Sequence, residues 1–280
     1  MTNPWLAVGS ALFIWWFATG AILWRVTRAD LQGRDAHLWS VLLGLPLLLG
    51  GFAGLYATRD DSTVLAVYLA FLSALAVWGW IELAFLSGII TGPNRQPCPA
   101  VTPMPRRMWR AVGTILWHEM ALLGALLAIM QYTMGGENQF GFWTFALMLG
   151  ARVSAKLNLF FGVPRIHTEF LPRPLAHLAS HFRHARMNWV FPVSVLGLAG
   201  VAACWFNQAM LTDADGAFVG HVLLTTLTIL ALLEHGFMVL PFPDQKLWRW
   251  MLPTGRDTAD ATRSELHADM GPKTGLATRK

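Results

Sequence analysis

Glu82, Glu119, Arg152, Lys156 and Glu234 sit inside hydrophobic runs of this chain, with His118 and His235 as immediate neighbours. A charged side chain at the centre of a bilayer costs about 2.5–3.5 kcal/mol by insertion measurements. Such residues must pair with one another or face a polar cavity. At a helical rise of about 1.5 Å per residue, Glu82 and His118 lie roughly 12 Å from the same end of their runs, and Glu234 roughly 9 Å. Lys156 and Arg152 fall roughly 8 and 14 Å in. Three carboxylates thus face two cations in one layer drawn from four runs. Two readings stay open: an ion-pair network that orients the bundle, or a site for a ligand, a metal or a proton.

Face geometry sharpens this. Arg152 and Lys156 share one face of their run, while Ser154 and Asn158 share nearly the opposite one. A helix polar on two sides belongs at the centre of a bundle. Thr114, His118, Ala121, Ala125 and Ala128 form a small, polar stripe suited to close helix contact, and His221, Thr225, Thr228, Leu232 and His235 form another.

Glu82, His118, Glu119, Glu234 and His235 are residue types that bind Fe, Mn or Zn. Their spacing matches no metal motif, and the Glu-x-x-His pair of carboxylate-bridged bundles is absent. Neighbours on a helix diverge by about 100°, so His118-Glu119 and Glu234-His235 do not easily ligate one ion as pairs. His118 or His235 could instead ligate the magnesium of a chlorin through a ring nitrogen. His177, His181 and His184 are spaced to share one face of a short helix, with His167 and Glu169 ahead of them. The sequence contains no phosphate loop, dinucleotide glycine pattern, cysteine metal pair or nucleophile elbow.

The elements that position these residues are long apolar segments. The chain is 55% hydrophobic and 13% charged, with a mean hydropathy of +0.45; a soluble chain is about a quarter charged. A helix needs roughly 20 apolar residues to cross a bilayer. Seven runs qualify: 5–24, 38–57, 63–90, 111–133, 140–161, 189–210 and 217–240. The expected fold is therefore an all-α bundle of seven transmembrane helices over residues 1–253, followed by a mobile cytoplasmic tail at 254–280. No Lys or Arg precedes the first run, and it is too long for a signal sequence, so it reads as a retained anchor.

Arginine and lysine crowd segments 25–37, 91–110, 162–188 and the chain after Leu240, while the intervening connections hold only Arg59. The positive-inside rule then places the N-terminus outside and the C-terminus in the cytoplasm. The net charge of +5 is topogenic and meets anionic lipid, and nucleic acid is not an expected partner. Segment 91–110 is proline-rich and expected to be extended. Pro172 and Pro174 open a predicted short helix over 174–187. Trp248-Arg249-Trp250-Met251-Leu252 reads as an interfacial anchor. Six tryptophans (Trp15, Trp16, Trp78, Trp80, Trp117, Trp205) lie within the runs, as packing elements or as a wall for a flat conjugated ligand. Cys98 and Cys204 form no disulfide framework. No internal repeat is evident, which argues against an inverted-repeat transporter.

The stretch Arg152-Val153-Ser154-Ala155-Lys156-Leu157-Asn158-Leu159-Phe160-Phe161-Gly162-Val163-Pro164, continuing through Glu169-Phe170-Leu171-Pro172 to Ser180-His181-Phe182, resembles the PuhE-like family. These are photosynthetic complex assembly proteins of anoxygenic phototrophic bacteria. The resemblance implies a role in assembling the reaction centre and core antenna, or in controlling their bacteriochlorophyll supply. It implies partners among the subunits of those complexes and the pigment-synthesis proteins. It brings no catalytic residues, but it marks Arg152, Lys156, Asn158 and Glu169 as part of the family's signature region. Where this chain has His177 and His181 the family has aromatic residues, so that histidine stripe is a poor candidate for a shared function. The rival readings are a metal-dependent membrane oxidoreductase acting on a tetrapyrrole or lipid, and a transporter or proton relay.

The charge asymmetry generates a topology test. Reporter fusions after Asp60, Gly136 and Ala214 should report the outside, and fusions after Gly33, Ala100, Ser180 and Asp260 the cytoplasm. A cytoplasmic signal at Gly136 or Ala214 breaks the seven-span arrangement.

Overall fold

The computed structural model describes residues 3–166, 168 and 171–241. Seven long helices follow in order: α1 (Pro4–Gln32), α2 (Arg34–Ala57), α3 (Val64–Leu86), α4 (Met104–Thr133), α5 (Phe140–Phe161), α6 (Val190–Leu211) and α7 (Asp215–Phe237). Among the described residues the only extended pairing is a single bridge between Val163 and His184. Six of the helices are long and apolar enough to cross a membrane. The exception is α5, which has the length but carries Arg152 and Lys156, with Ser154 and Asn158, in its second half. The count legible by length and composition is thus six, where the hydrophobic runs suggested seven.

Several boundaries move outward from the apolar runs. α1 continues through Arg25, Arg28 and Asp30, and α2 begins at Arg34, so Gly33 alone joins them. Its φ of 99° is open to glycine and strained for other residues. What reads as a loop at 25–37 is therefore helical. α4 starts at Met104, with Pro105 in its first turn, so only the earlier part of the proline-rich segment is non-helical. Apolarity marks the part of a helix that faces lipid, and these ends project beyond it. The short helix expected at 174–187 is a 3₁₀ helix over Arg173–His181. His184 lies beyond it, in the bridge to Val163, so the three histidines share no helical face. Glu169, His167, the Trp248–Leu252 anchor and the 254–280 tail lie outside the described residues.

α3 is the hub. It packs against α1, α2, α4, α5 and α7, and its Val67, Phe71, Ala74, Val77, Ala84 and Phe85 are almost fully buried. Thr63 caps its start by accepting from Ala66 N–H. Two clusters fill its flanks: Leu55, Val77, Leu122, Ile129 and Phe145 on one side, and Ala7, Ala11, Phe71, Val219 and Leu223 on the other. α6 is peripheral, packing on α7 and α5. The two ends of the bundle differ in charge. One carries the 87–103 and 162–189 connections with most of the arginines; the other carries Asp60, Asp61, Glu137, Asp213 and Asp215 beside Arg59.

α2 approaches α3 through glycine. A Cβ on Gly51 would lie 2.7 Å from Val77 Cγ2 and 2.8 Å from the Ser73 carbonyl, whereas one on Gly50 meets nothing within 4 Å. Gly51→Ala should lower the thermal midpoint in detergent, with overpacking costing about 1–3 kcal/mol. Gly50→Ala should leave it unchanged or raise it. Equal midpoints for the two variants would contradict the α2–α3 contact.

Candidate functional site

The polar residues of α5 reach in two directions. On one face, Arg152 Nη2 donates to Glu82 Oε2 of α3 at 2.8 Å, and Lys156 pairs with Glu119 of α4. On the other, Ser154 Oγ lies 2.9 Å from His235 Nε2 of α7, and Asn158 Nδ2 donates to Ser194 Oγ of α6 at 2.9 Å. α5 thus ties itself by side-chain bonds to α3, α4, α6 and α7. These charges are partnered where hydrocarbon would make isolated ones costly.

His118 is completely buried. Its Nε2 stands 3.6 Å from Glu82 Oε1, too long for an ordinary hydrogen bond. The ring stacks on Phe85 at a centroid distance of 4.2 Å, and Lys156 Nζ lies 5.6 Å from the same Phe85 ring. The connection after α3 fixes this histidine from outside the helix. Thr91 carbonyl accepts from Trp117 and His118 N–H, and Asn94 N–H reaches Gly113 carbonyl. Gly92 permits the approach, because a Cβ there would strike the Gly113 carbonyl. Glu82 Oε1, both His118 ring nitrogens and Arg152 Nε are buried with no hydrogen-bond partner among the described residues, as are the nearby hydroxyls of Ser87 and Thr91. Buried polar atoms are usually paired, so this is the chemically incomplete part of the layer.

His235 is closed. Its Nδ1 lies 2.8 Å from the Ala231 carbonyl, which can only accept, so Nδ1 carries the proton. Nε2 is then bare and accepts from Ser154. Both nitrogens are occupied, leaving neither for a chlorin magnesium. Among the described residues no three His, Cys, Asp or Glu side chains are gathered as a metal-ligand set. Glu234 stands apart: its Oε1 accepts from Trp15 Nε1 of α1 at 2.8 Å, and its side chain remains exposed.

Two participants were not evident beforehand. Asn188 donates to Asn158 Oδ1 at 3.1 Å and to the Gly162 carbonyl at 2.7 Å, while its own Oδ1 accepts from Val190 and Phe191 N–H. It caps α6 and locks that helix to the end of α5. An asparagine just ahead of an apolar run was the available signal. Trp15 read as a packing element or as part of a wall for a flat conjugated ligand, and nothing in its spacing pointed to Glu234. At the basic end, Arg107 donates to the His181 and Phe182 carbonyls at 2.9 Å, binding the 3₁₀ segment to α4. Burial lowers the proton affinity of His177 and His181, which works against their forming a charged stripe.

Apolar helices enclosing inter-helix ion pairs define a multi-pass α-helical membrane protein. The chain belongs to the DUF3623 family, described as "Protein of unknown function (DUF3623)", which it matches over residues 1–259. A relative from Rhodobacter capsulatus, named "Uncharacterized 30.4 kDa protein in puhA 5'region", is 60% identical over 260 residues, covering 93% of this chain and 95% of the relative. No solved structure matches the chain.

The pairs generate a prediction on stability. Arg152→Ala leaves Glu82 buried without its cation. A broken buried pair costs about 3–5 kcal/mol, and the low end applies because the Arg152 side chain is 40% exposed. Its abundance in membranes should fall clearly. The exchange Glu119→Lys with Lys156→Glu should restore abundance lost by either single change, as read by immunoblot of membranes. Non-rescue by the double exchange would show that the two side chains do not act as a pair.

Proposed function

We propose that this protein is an assembly factor for the photosynthetic reaction centre and core antenna, or a modulator of their bacteriochlorophyll supply, in the inner membrane of a phototrophic bacterium. The observation that carries this reading is the relative whose name sets it in the 5′ region of puhA, a photosynthesis gene, at 60% identity over nearly the whole chain. The resemblance of the Arg152–Phe182 region to the PuhE-like assembly proteins agrees with it. The geometry agrees in a second way. The charges of α5 are spent on holding helices together, and the outer faces of α1, α2 and α6 are apolar and exposed, with Leu43, Leu49, Leu196 and Leu211 among them. That suits a scaffold for other membrane subunits better than an enzyme built around a metal.

In this reading α5 also spans the bilayer, its cations neutralised by Glu82 and Glu119. The protein then has seven spans with the N-terminus outside, and its basic end faces the cytoplasm and anionic lipid. A second reading is a proton relay, favoured by the unpartnered Glu82 Oε1 and His118 nitrogens. Proton uptake by vesicles containing the purified protein distinguishes it.

Complete deletion in the phototrophic host should lower the near-infrared absorbance of assembled complexes while unrelated membrane proteins persist. Glu119→Gln and His118→Ala should show the same loss if the layer takes part, provided the variants accumulate normally. Unchanged complex levels in the deletion strain would reject the assignment.

A further inference from the structure

The two sides of the charged layer are unequal. α3 and α4 are each apolar enough to cross a membrane with their carboxylates included, and α5 is not. The carboxylates also come first in the chain, Glu82 on α3 and Glu119 on α4, ahead of Arg152 and Lys156 on α5. Bonds that do not involve α5 help to set their positions. The Thr91 carbonyl accepts from Trp117 and His118 N–H at 2.9 and 3.1 Å, and Asn94 N–H reaches the Gly113 carbonyl at 3.0 Å. Asn94 Nδ2 donates to the Arg110 carbonyl at 3.0 Å. These bonds join α4 to the connection that follows α3, so they fix the height of one helix against the other within residues 64–133. The charged face of α5 then meets that earlier unit: Arg152 Nη2 donates to Glu82 Oε2 at 2.8 Å, and Lys156 pairs with Glu119. The opposite face bonds through Ser154 and Asn158 to α7 and α6, which follow it in the chain.

We propose that α5 is a conditional span: the α3–α4 unit is the docking surface that admits it, and α5 crosses the bilayer only when Glu82 and Glu119 are in place to receive Arg152 and Lys156. A cation alone in hydrocarbon opposes crossing. Lys156 lies nearer the helix end, where a long side chain can extend toward the interface, so Arg152 carries the larger part of the opposition. The dependence runs one way. α5 needs the carboxylates, whereas α3 and α4 cross by their own composition without the cations. Arg165, Arg173, Arg183 and Arg186 of the following connection favour keeping that connection on one side, but they leave the two cations inside the span uncompensated. This inference rests on the reading in which α5 spans the bilayer.

The test uses the full-length chain with Cys98→Ser and Cys204→Ser, carrying either Glu137→Cys or Met187→Cys. These two positions flank α5 and are exposed. A membrane-impermeant maleimide, applied to spheroplasts before and after lysis, reports the side each cysteine occupies on pulse-labelled chains, ahead of turnover. With the four charged residues intact, the two positions should lie on opposite sides. Glu82→Leu with Glu119→Leu should lower the ratio of crossed to uncrossed chains about tenfold or more. Arg152→Leu with Lys156→Leu should leave that ratio unchanged. All four replacements together should restore it, which separates unpaired cations from damage to α3 or α4. Both positions on one side with the charges intact would overturn the spanning of α5 and the inference together. If α5 crosses with the charges intact and crosses equally in Glu82→Leu/Glu119→Leu, the inference alone falls. It falls as well if Arg152→Leu/Lys156→Leu loses crossing to the same degree, or if the four replacements together do not restore it.

Discussion

The Arg152–Glu82 pair is the interaction on which the arrangement rests. Glu82 belongs to α3, which packs against five other helices, and Arg152 to the one long helix whose composition falls short of a membrane span. Apart, each is a charge in a medium that penalises charge by several kcal/mol. Together they make α5 admissible in the bundle and fix its rotation, because only one orientation brings Arg152 to α3 and Lys156 to α4. The same rotation then turns Ser154 to α7 and Asn158 to α6. One ion pair thereby sets the partners of three other side chains of α5.

The remaining contacts are built to the same level. Asn188 caps α6 and holds the α5 terminus, so the register of α6 follows that of α5. The Thr91 carbonyl and Asn94 amide enter the turn of α4 just ahead of His118 and fix its height beside Glu82. Polar bonds specify the geometry, while apolar contact around α3 supplies the mass of the core. In hydrocarbon, where helices gain little from hiding apolar surface from water, van der Waals packing and such bonds are what distinguish one arrangement from another.

Much of this is visible in the residues themselves. The run 140–161 coincides with α5 because a helix bounded by turns at both ends has nowhere to extend. α1, α2 and α4 overrun their apolar segments because helical hydrogen bonding continues into water where apolarity stops. That Arg152 and Lys156 share a face follows from helical spacing. Which carboxylate each one meets does not, since that depends on which helices are neighbours. Glu234 illustrates the limit: its type and depth match those of Glu82, yet it bonds to Trp15, because α7 presents it toward α1. Asn188 was readable as a cap, but its grip on the end of α5 needs the return of the chain through the 162–189 connection.

The single-residue joint at Gly33 has a consequence for biosynthesis. With one residue between them, α1 and α2 have no slack to lie in the bilayer separately. Once α1 has entered, α2 must fold back alongside it, and the two cross as a preformed hairpin rather than as successive independent segments. Asp30 and His37, bonded at 3.0 Å across the bend, and Arg25, donating to the Ala36 carbonyl at 3.1 Å, clasp that hairpin at its closed end. The α1–α2 hairpin is therefore a self-contained insertion unit, in place before the helices that carry Glu82, Glu119, Arg152 and Lys156 are made.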